Sequence, residues 1–166
     1  MRPLIIYYSL TGSTAKIASH IVEKVKGMER RLVEDNARTG LVASFTARVG
    51  LKAKLRSPDY SVGDYDPIIL LSPVWTGKPT PAMNAFLSVV DLKGKKVIAV
   101  LVGARRENDK AVSLLRSLII SRKALYVETI YLRGLPVNKR EMRPTEEHLI
   151  AEAERVKRLV EGIINI

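Results

Sequence analysis

The chain has 166 residues, 46% of them hydrophobic and 27% charged, the composition of a soluble globular protein with room for a substantial core. It contains no cysteine, which excludes disulfides, thiolate catalysis and Cys-ligated metals; 28 Lys and Arg against 17 Asp and Glu leave a net charge of +11. No window has the unbroken apolar length of a membrane span and no signal-peptide pattern opens the chain, so a cytoplasmic protein without a membrane span is expected.

Apolar runs alternate with helix-period segments from end to end, the rhythm of a parallel sheet built from βαβ units. Leu4–Tyr8 reads as the first strand, and Ala15–Lys26 as an amphipathic helix with Ile17, Ile21, Val22 and Val25 on one face. Leu32–Glu34 is a short second strand. Leu41–Leu55 has Leu41, Val42, Phe45, Val49 and Leu51 near helical spacing, which predicts a second helix.

After the turn-like Gly63–Asp66, Pro67–Leu71 is apolar on both faces, as a central parallel strand should be. Thr80 and Pro81 read as the N-cap and first turn of a helix that runs to about Val90. Lys96–Val102 is the fourth strand, Asp109–Ser121 the fourth helix and Leu125–Leu132 the fifth strand. The last helix starts after Pro144 with Thr145 as cap, and Leu149, Ala153, Val156, Val160 and Ile163 form its buried stripe. Five strands and five helices in alternation predict a doubly wound three-layer sandwich in one domain over residues 1–166. Ligands of such sheets bind outside the carboxyl ends of the strands, which directs attention to the loops after strands one, three and four.

The first loop, Ser9-Leu10-Thr11-Gly12-Ser13-Thr14, joins a strand to a helix start. Helix N-termini present unpaired N–H groups and partial positive charge to an anion. Four hydroxyl residues surround this end, Gly12 permits close backbone approach, and the loop has no Lys or Arg. The glycine spacing of the P-loop and of the dinucleotide fingerprint is absent. Such a loop suits a single terminal phosphate held mainly by hydrogen bonds.

Ile5 to Thr14, continued to Ala18, resembles the phosphate-loop signature of the flavodoxin family at every constrained position. The resemblance implies a flavodoxin-like five-stranded parallel sheet of order 2-1-3-4-5. It also implies FMN as cofactor, with Ser9, Thr11, Gly12, Ser13 and Thr14 around its phosphate.

The loop after the third strand, Ser72-Pro73-Val74-Trp75-Thr76-Gly77-Lys78-Pro79, holds the only tryptophan. It is similar to the Pro-Val-Trp-x-Gly-x-Pro stretch of many flavodoxin-like proteins, which implies a flavin site over Pro73, Val74, Trp75, Thr76, Gly77 and Lys78. Stacking the flavin on Trp75 would contribute on the order of 1 kcal/mol beyond buried area. Gly77 is the residue best able to let the neighbouring peptide turn over as the flavin gains a proton.

In the third loop the resemblance implies flavin contacts from Gly103, Ala104 and Arg105. Many flavodoxins carry a second aromatic residue here, whereas this sequence has Arg105 and Arg106. An arginine about 10 Å from the ring stabilises reduced, anionic flavin by about 1–2 kcal/mol at an effective dielectric of about 20.

His20 and His148 stand in different predicted helices without a second ligand at metal spacing, so no metal is expected. Basic residues spread over several helices and no nucleic-acid signature occurs, so nucleic acid is not expected as partner. Two functions remain open. One is an electron carrier whose basic surface meets an acidic, ferredoxin-like redox partner. The other is an NAD(P)H-dependent quinone or flavin reductase. No catalytic acid, base or nucleophile stands out, which favours the carrier as the first reading, while the basic surround of the third loop favours the reductase as the alternative.

Overall fold

The computed structural model describes residues 2–10, 12–32, 60–103, 108–133 and 146–164. In chain order the elements are β1 (Arg2–Tyr7), α1 (Ser13–Lys24), β2 (Glu29–Leu32), β3 (Tyr65–Trp75), β4 (Lys78–Pro79), α2 (Pro81–Val89), β5 (Lys96–Gly103), α3 (Asp109–Ser121), β6 (Leu125–Arg133) and α4 (Glu146–Ile164).

Five strands pair in parallel in the order β2-β1-β3-β5-β6, while β4 folds back antiparallel on the end of β3. Counting only the parallel strands, this is the expected 2-1-3-4-5 order. The register aligns Ile5 with Ile69 and Ile69 with Ile98, so the three central strands meet through apolar residues.

Side-chain alternation splits the core into two layers. Leu4, Ile6, Ile68, Leu70, Ala99 and Leu101 face one way and pack with Met83 and Phe86 of α2 and Leu115 and Ile119 of α3. Ile5, Ile69, Leu71, Ile98, Val100 and Ile130 face the other way, against Ile17 and Ile21 of α1 and Val156 and Val160 of α4. Burial on both faces explains why these strands read as unbroken apolar runs.

Several boundaries differ from expectation. β1 spans Arg2–Tyr7 rather than Leu4–Tyr8, and β2 spans Glu29–Leu32, starting three residues before the expected Leu32–Glu34, because the charged Glu29-Arg30-Arg31 run masks a strand that pairs with β1 through its backbone. β3 runs from Tyr65 to Trp75 rather than ending at Leu71, and Tyr65 and Asp66 belong to the strand rather than to the preceding turn. Pro73 does not end the strand, because its fixed φ and the extended preference it imposes on Ser72 are both compatible with β backbone. β4 adds a sixth strand to the expected five; two residues are too short to show any periodicity. α1 starts at Ser13, ahead of the apolar stripe that marked it from Ala15. The helix expected at Leu41–Leu55 and the Thr145 cap lie outside the described residues. Among the described residues no helix is long and apolar enough to cross a membrane.

Candidate flavin site

The carboxyl ends of β1, β3 and β5 lead into the three loops singled out by sequence. At the first, Gly12 is the N-cap of α1 in the left-handed region, with φ 89° and ψ −19°. The Ser9 hydroxyl oxygen accepts the backbone N–H of Gly12 and of Ala15, each at 3.2 Å. Ser9 thus supplies the capping oxygen that Gly12 lacks, and its own hydroxyl hydrogen remains available to a ligand. The amides of Ser13 and Thr14, in the first helical turn, have no intrahelical acceptor. Gly12 and Ser13 are exposed, whereas Thr14 is buried and ties the turn to the domain. A Cβ at Gly12 would meet nothing within 4 Å, so the space above it is open.

The first turn of α1 contains no acidic residue that would repel an anion. Amide donors, hydroxyl donors and the helix dipole together fit a phosphate monoester without a cationic clamp. Thr11, also expected at the phosphate, lies outside the described residues.

At the second loop, Trp75 pairs with Lys78 and Val74 with Pro79 across a two-residue turn. Thr76 and Gly77 both have positive φ, at 50° and 75°. A twisted two-residue hairpin of the I′ kind needs this combination, and it suits glycine but strains a β-branched residue. Holding Thr76 there costs on the order of 1 kcal/mol, so its surroundings must over-determine the turn.

They do so from below. Ser72 is fully buried, and its hydroxyl lies 3.3 Å from the hydroxyl of Thr80, also fully buried. Ser72 Oγ donates to the Pro73 carbonyl at 3.0 Å, and Thr80 Oγ1 accepts the Met83 amide at 3.3 Å as the N-cap of α2. These hydroxyls join the two stems of the hairpin and anchor it to α2. Their sequence signal, two small hydroxyl residues beside prolines, is visible but silent about pairing.

Trp75 is half-buried and packs on the core layer of α2 and α3, while its ring meets that of Tyr8 at 79° with centroids 5.6 Å apart. Tyr8 directly precedes Ser9, so this contact joins the phosphate loop to the aromatic hairpin. From sequence alone Tyr8 is expected to end the first strand and nothing marks it as part of the site, whereas β1 ends at Tyr7. Pro73, Val74, Gly77 and Lys78 are part-buried and Thr76 is exposed.

At the third loop, Gly103 ends β5 and is buried. A Cβ at this position would collide with the Tyr131 hydroxyl, so the β6 tyrosine fills the space a side chain would take. Beyond the loop, Asn108 caps α3 by accepting the Ala111 amide at 3.0 Å. A methyl group at Gly77 would sit 3.2 Å from Asn108 Nδ2, so the third loop meets the second at this amide. Ala104, Arg105 and Arg106 lie outside the described residues. Among the described residues no group of three or more His, Asp or Glu side chains is placed to hold a metal.

A doubly wound parallel sheet of this order, with a hydroxyl-rich helix start after its first strand, defines a flavodoxin-like protein of the FMN-binding class. Residues 1–134 match the NADPH-dependent FMN reductase family, and the chain belongs to that family. No curated protein matches the sequence. Among solved structures, a flavoprotein from Lactobacillus acidophilus NCFM in complex with FMN is similar, at 23% identity, a TM-score of 0.64, and coverage of 78% of this chain and 92% of that one. A flavodoxin, WrbA-like protein from Agrobacterium tumefaciens is 15% identical, with a TM-score of 0.65 over 97% of this chain and 96% of the other. A flavodoxin from Fusobacterium nucleatum bound to flavin mononucleotide is 15% identical, with a TM-score of 0.56 over 96% of this chain and 99% of that one. At these identities the likeness is one of fold.

Proposed function

We propose that this chain is an FMN-dependent oxidoreductase that draws reducing equivalents from NADPH and delivers them to a quinone or to free flavin. FMN is its cofactor. The observation that carries the reading is the Tyr8–Trp75 contact, which joins a cation-free phosphate seat to an aromatic hairpin in one site. The family match over residues 1–134 favours the reductase within that site. Bound FMN supplies a ring that takes up and releases a hydride or single electrons.

The protein's part is binding and orientation. The Ser9 hydroxyl, the Ser13 and Thr14 amides and the neighbouring hydroxyls hold the phosphate. Trp75 offers an apolar surface to the ring, with Pro73, Val74 and Lys78 forming the hairpin stems. The backbone of Thr76 and Gly77 would offer peptide groups to the flavin, exchanging hydrogen bonds with it without a side-chain acid or base. Gly103 leaves its backbone as the only group it can offer.

Between Ser72 and Pro79 the hairpin contains no histidine or carboxylate. That observation favours the second reading, a one-electron carrier serving an acidic, ferredoxin-like partner, since a carrier requires no proton-transfer group. Stopped-flow mixing of FMN-loaded protein with NADPH, followed by benzoquinone, separates the two. Bleaching of the 450 nm band by NADPH and fast reoxidation by quinone is the expected result. Protein that NADPH leaves oxidised, but that a reduced ferredoxin bleaches, is a carrier. Protein that retains no FMN after desalting refutes both readings.

A further inference from the structure

The hairpin after β3 is built of two rungs, Val74 with Pro79 and Trp75 with Lys78. Residues directly opposite in an antiparallel pair carry their side chains on the same face, with Cβ atoms about 5 Å apart. Successive rungs alternate, so Val74 and Pro79 take one face of the hairpin and Trp75 and Lys78 the other. Pro79 is buried and Val74 packs on the core, whereas Trp75 and Lys78 are both part-buried. Only Thr76 and Gly77 link that second rung, so Lys78 is rooted beside the indole that offers its surface to the flavin.

The charges around this rung are one-sided. Lys78 is the only ionisable side chain between Ser72 and Pro79, and the first turns of α1 and α2 contain no acidic residue. β4 lies against α3, whose first turn brings the carboxylate of Asp109, but Asp109 is exposed and water screens it. Hydride transfer from NADPH to neutral oxidised flavin delivers two electrons and one proton together. It leaves NADP⁺ and a ring with one negative charge, and the hairpin has no histidine or carboxylic acid to protonate that ring.

We propose that Lys78 sets the redox preference of the site: its ammonium, rooted opposite Trp75, stabilises the negative charge of the reduced ring and favours hydride uptake over low-potential electron carriage. The proposal rests on the FMN reading and names the side chain that selects between its two uses. A purely structural role predicts otherwise. Among the described residues β4 pairs only with β3, and lysine on a short edge strand also blocks edge-to-edge association without touching a cofactor.

The test compares Lys78→Met, which keeps an apolar stem, with Lys78→Arg, which keeps the charge. Dissociation constants are measured for oxidised and for dithionite-reduced FMN, and the two-electron midpoint potential by dye-equilibrated titration. Lys78→Met should bind reduced FMN about tenfold more weakly while its affinity for oxidised FMN changes little. By the thermodynamic cycle that loss lowers the two-electron potential by about 30 mV. Lys78→Arg should keep the wild-type ratio of the two affinities, and high salt should narrow the gap between wild type and Lys78→Met. Lys78→Gln repeats the loss of charge where Lys78→Met does not fold. An unchanged ratio in the neutral variants, or equal weakening of both redox states, overturns the proposal and leaves Lys78 an edge lysine on an FMN protein. Wild-type protein that retains no FMN refutes the FMN reading itself, a result obtained before any variant is compared.

Discussion

The rings of Tyr8 and Trp75 meet at 79° with their centroids 5.6 Å apart, and this contact joins the two halves of the proposed cofactor site. Tyr8 directly precedes the Ser9 loop and Trp75 ends β3, so the contact links the first loop to the second.

Removing either ring should weaken FMN binding. Such an aromatic pair is worth about 1 kcal/mol beyond area, which is about fivefold in dissociation constant for Tyr8→Leu. Trp75→Ala should cost more and also shift the flavin absorption band. Trp75 is the only tryptophan, so quenching of its fluorescence by FMN reports binding directly. A Trp75→Ala protein with unchanged spectrum and affinity would show that Trp75 serves the core alone.

The Ser9 hydroxyl organises two amides, so Ser9→Ala should lower stability by about 1 kcal/mol. It should also weaken FMN binding while riboflavin binding changes little. Thr14→Val should show the same selectivity. Isothermal titration with both ligands is the measurement; equal losses for the two would place the phosphate elsewhere.

Thr76 holds a left-handed conformation that asparagine adopts at lower cost, and Asn-Gly is the preferred pair for this turn. Thr76→Asn should stabilise the cofactor-free protein by about 1 kcal/mol, a rise in Tm of about 2–4 °C. Calorimetric scans of both proteins decide it. No rise would mean that the Thr76 side chain makes compensating contacts.

Gly103 is buried where the Tyr131 hydroxyl leaves no room for a Cβ. Gly103→Ala should destabilise by about 1–3 kcal/mol through overpacking. Tyr131→Leu removes the obstructing atoms, so adding Gly103→Ala to that background should cost much less. A denaturant double-mutant cycle measures the coupling, and strict additivity would refute the contact.

Much of the fold is legible residue by residue. Ile68 to Leu71 shows a doubly buried strand by its composition, and Thr80-Pro81 shows a helix start that the structure reproduces with the Thr80 cap. The hydroxyl-rich loop before α1 is legible because phosphate binding at a helix start needs local groups only. The extension of β3 past Pro73 and the hairpin with β4 were not legible, because two paired residues leave no period. The start of α3 at Asp109 was legible, but neither the Asn108 cap nor the nearness of Asn108 to Gly77 was.

By itself the sequence determined much of what repeats or acts locally: the alternation of strands and helices, the strand order implied by a family signature, the Thr80 cap and the two loop motifs. Periodicity and helix-end chemistry are set within a few residues, so they can be read along the chain. Only the tertiary structure decided which loops touch: Tyr8 with Trp75, Asn108 with Gly77, Tyr131 over Gly103. Each of these pairs joins different βα units, and its distance depends on strand register and twist, quantities that no local stretch of sequence contains.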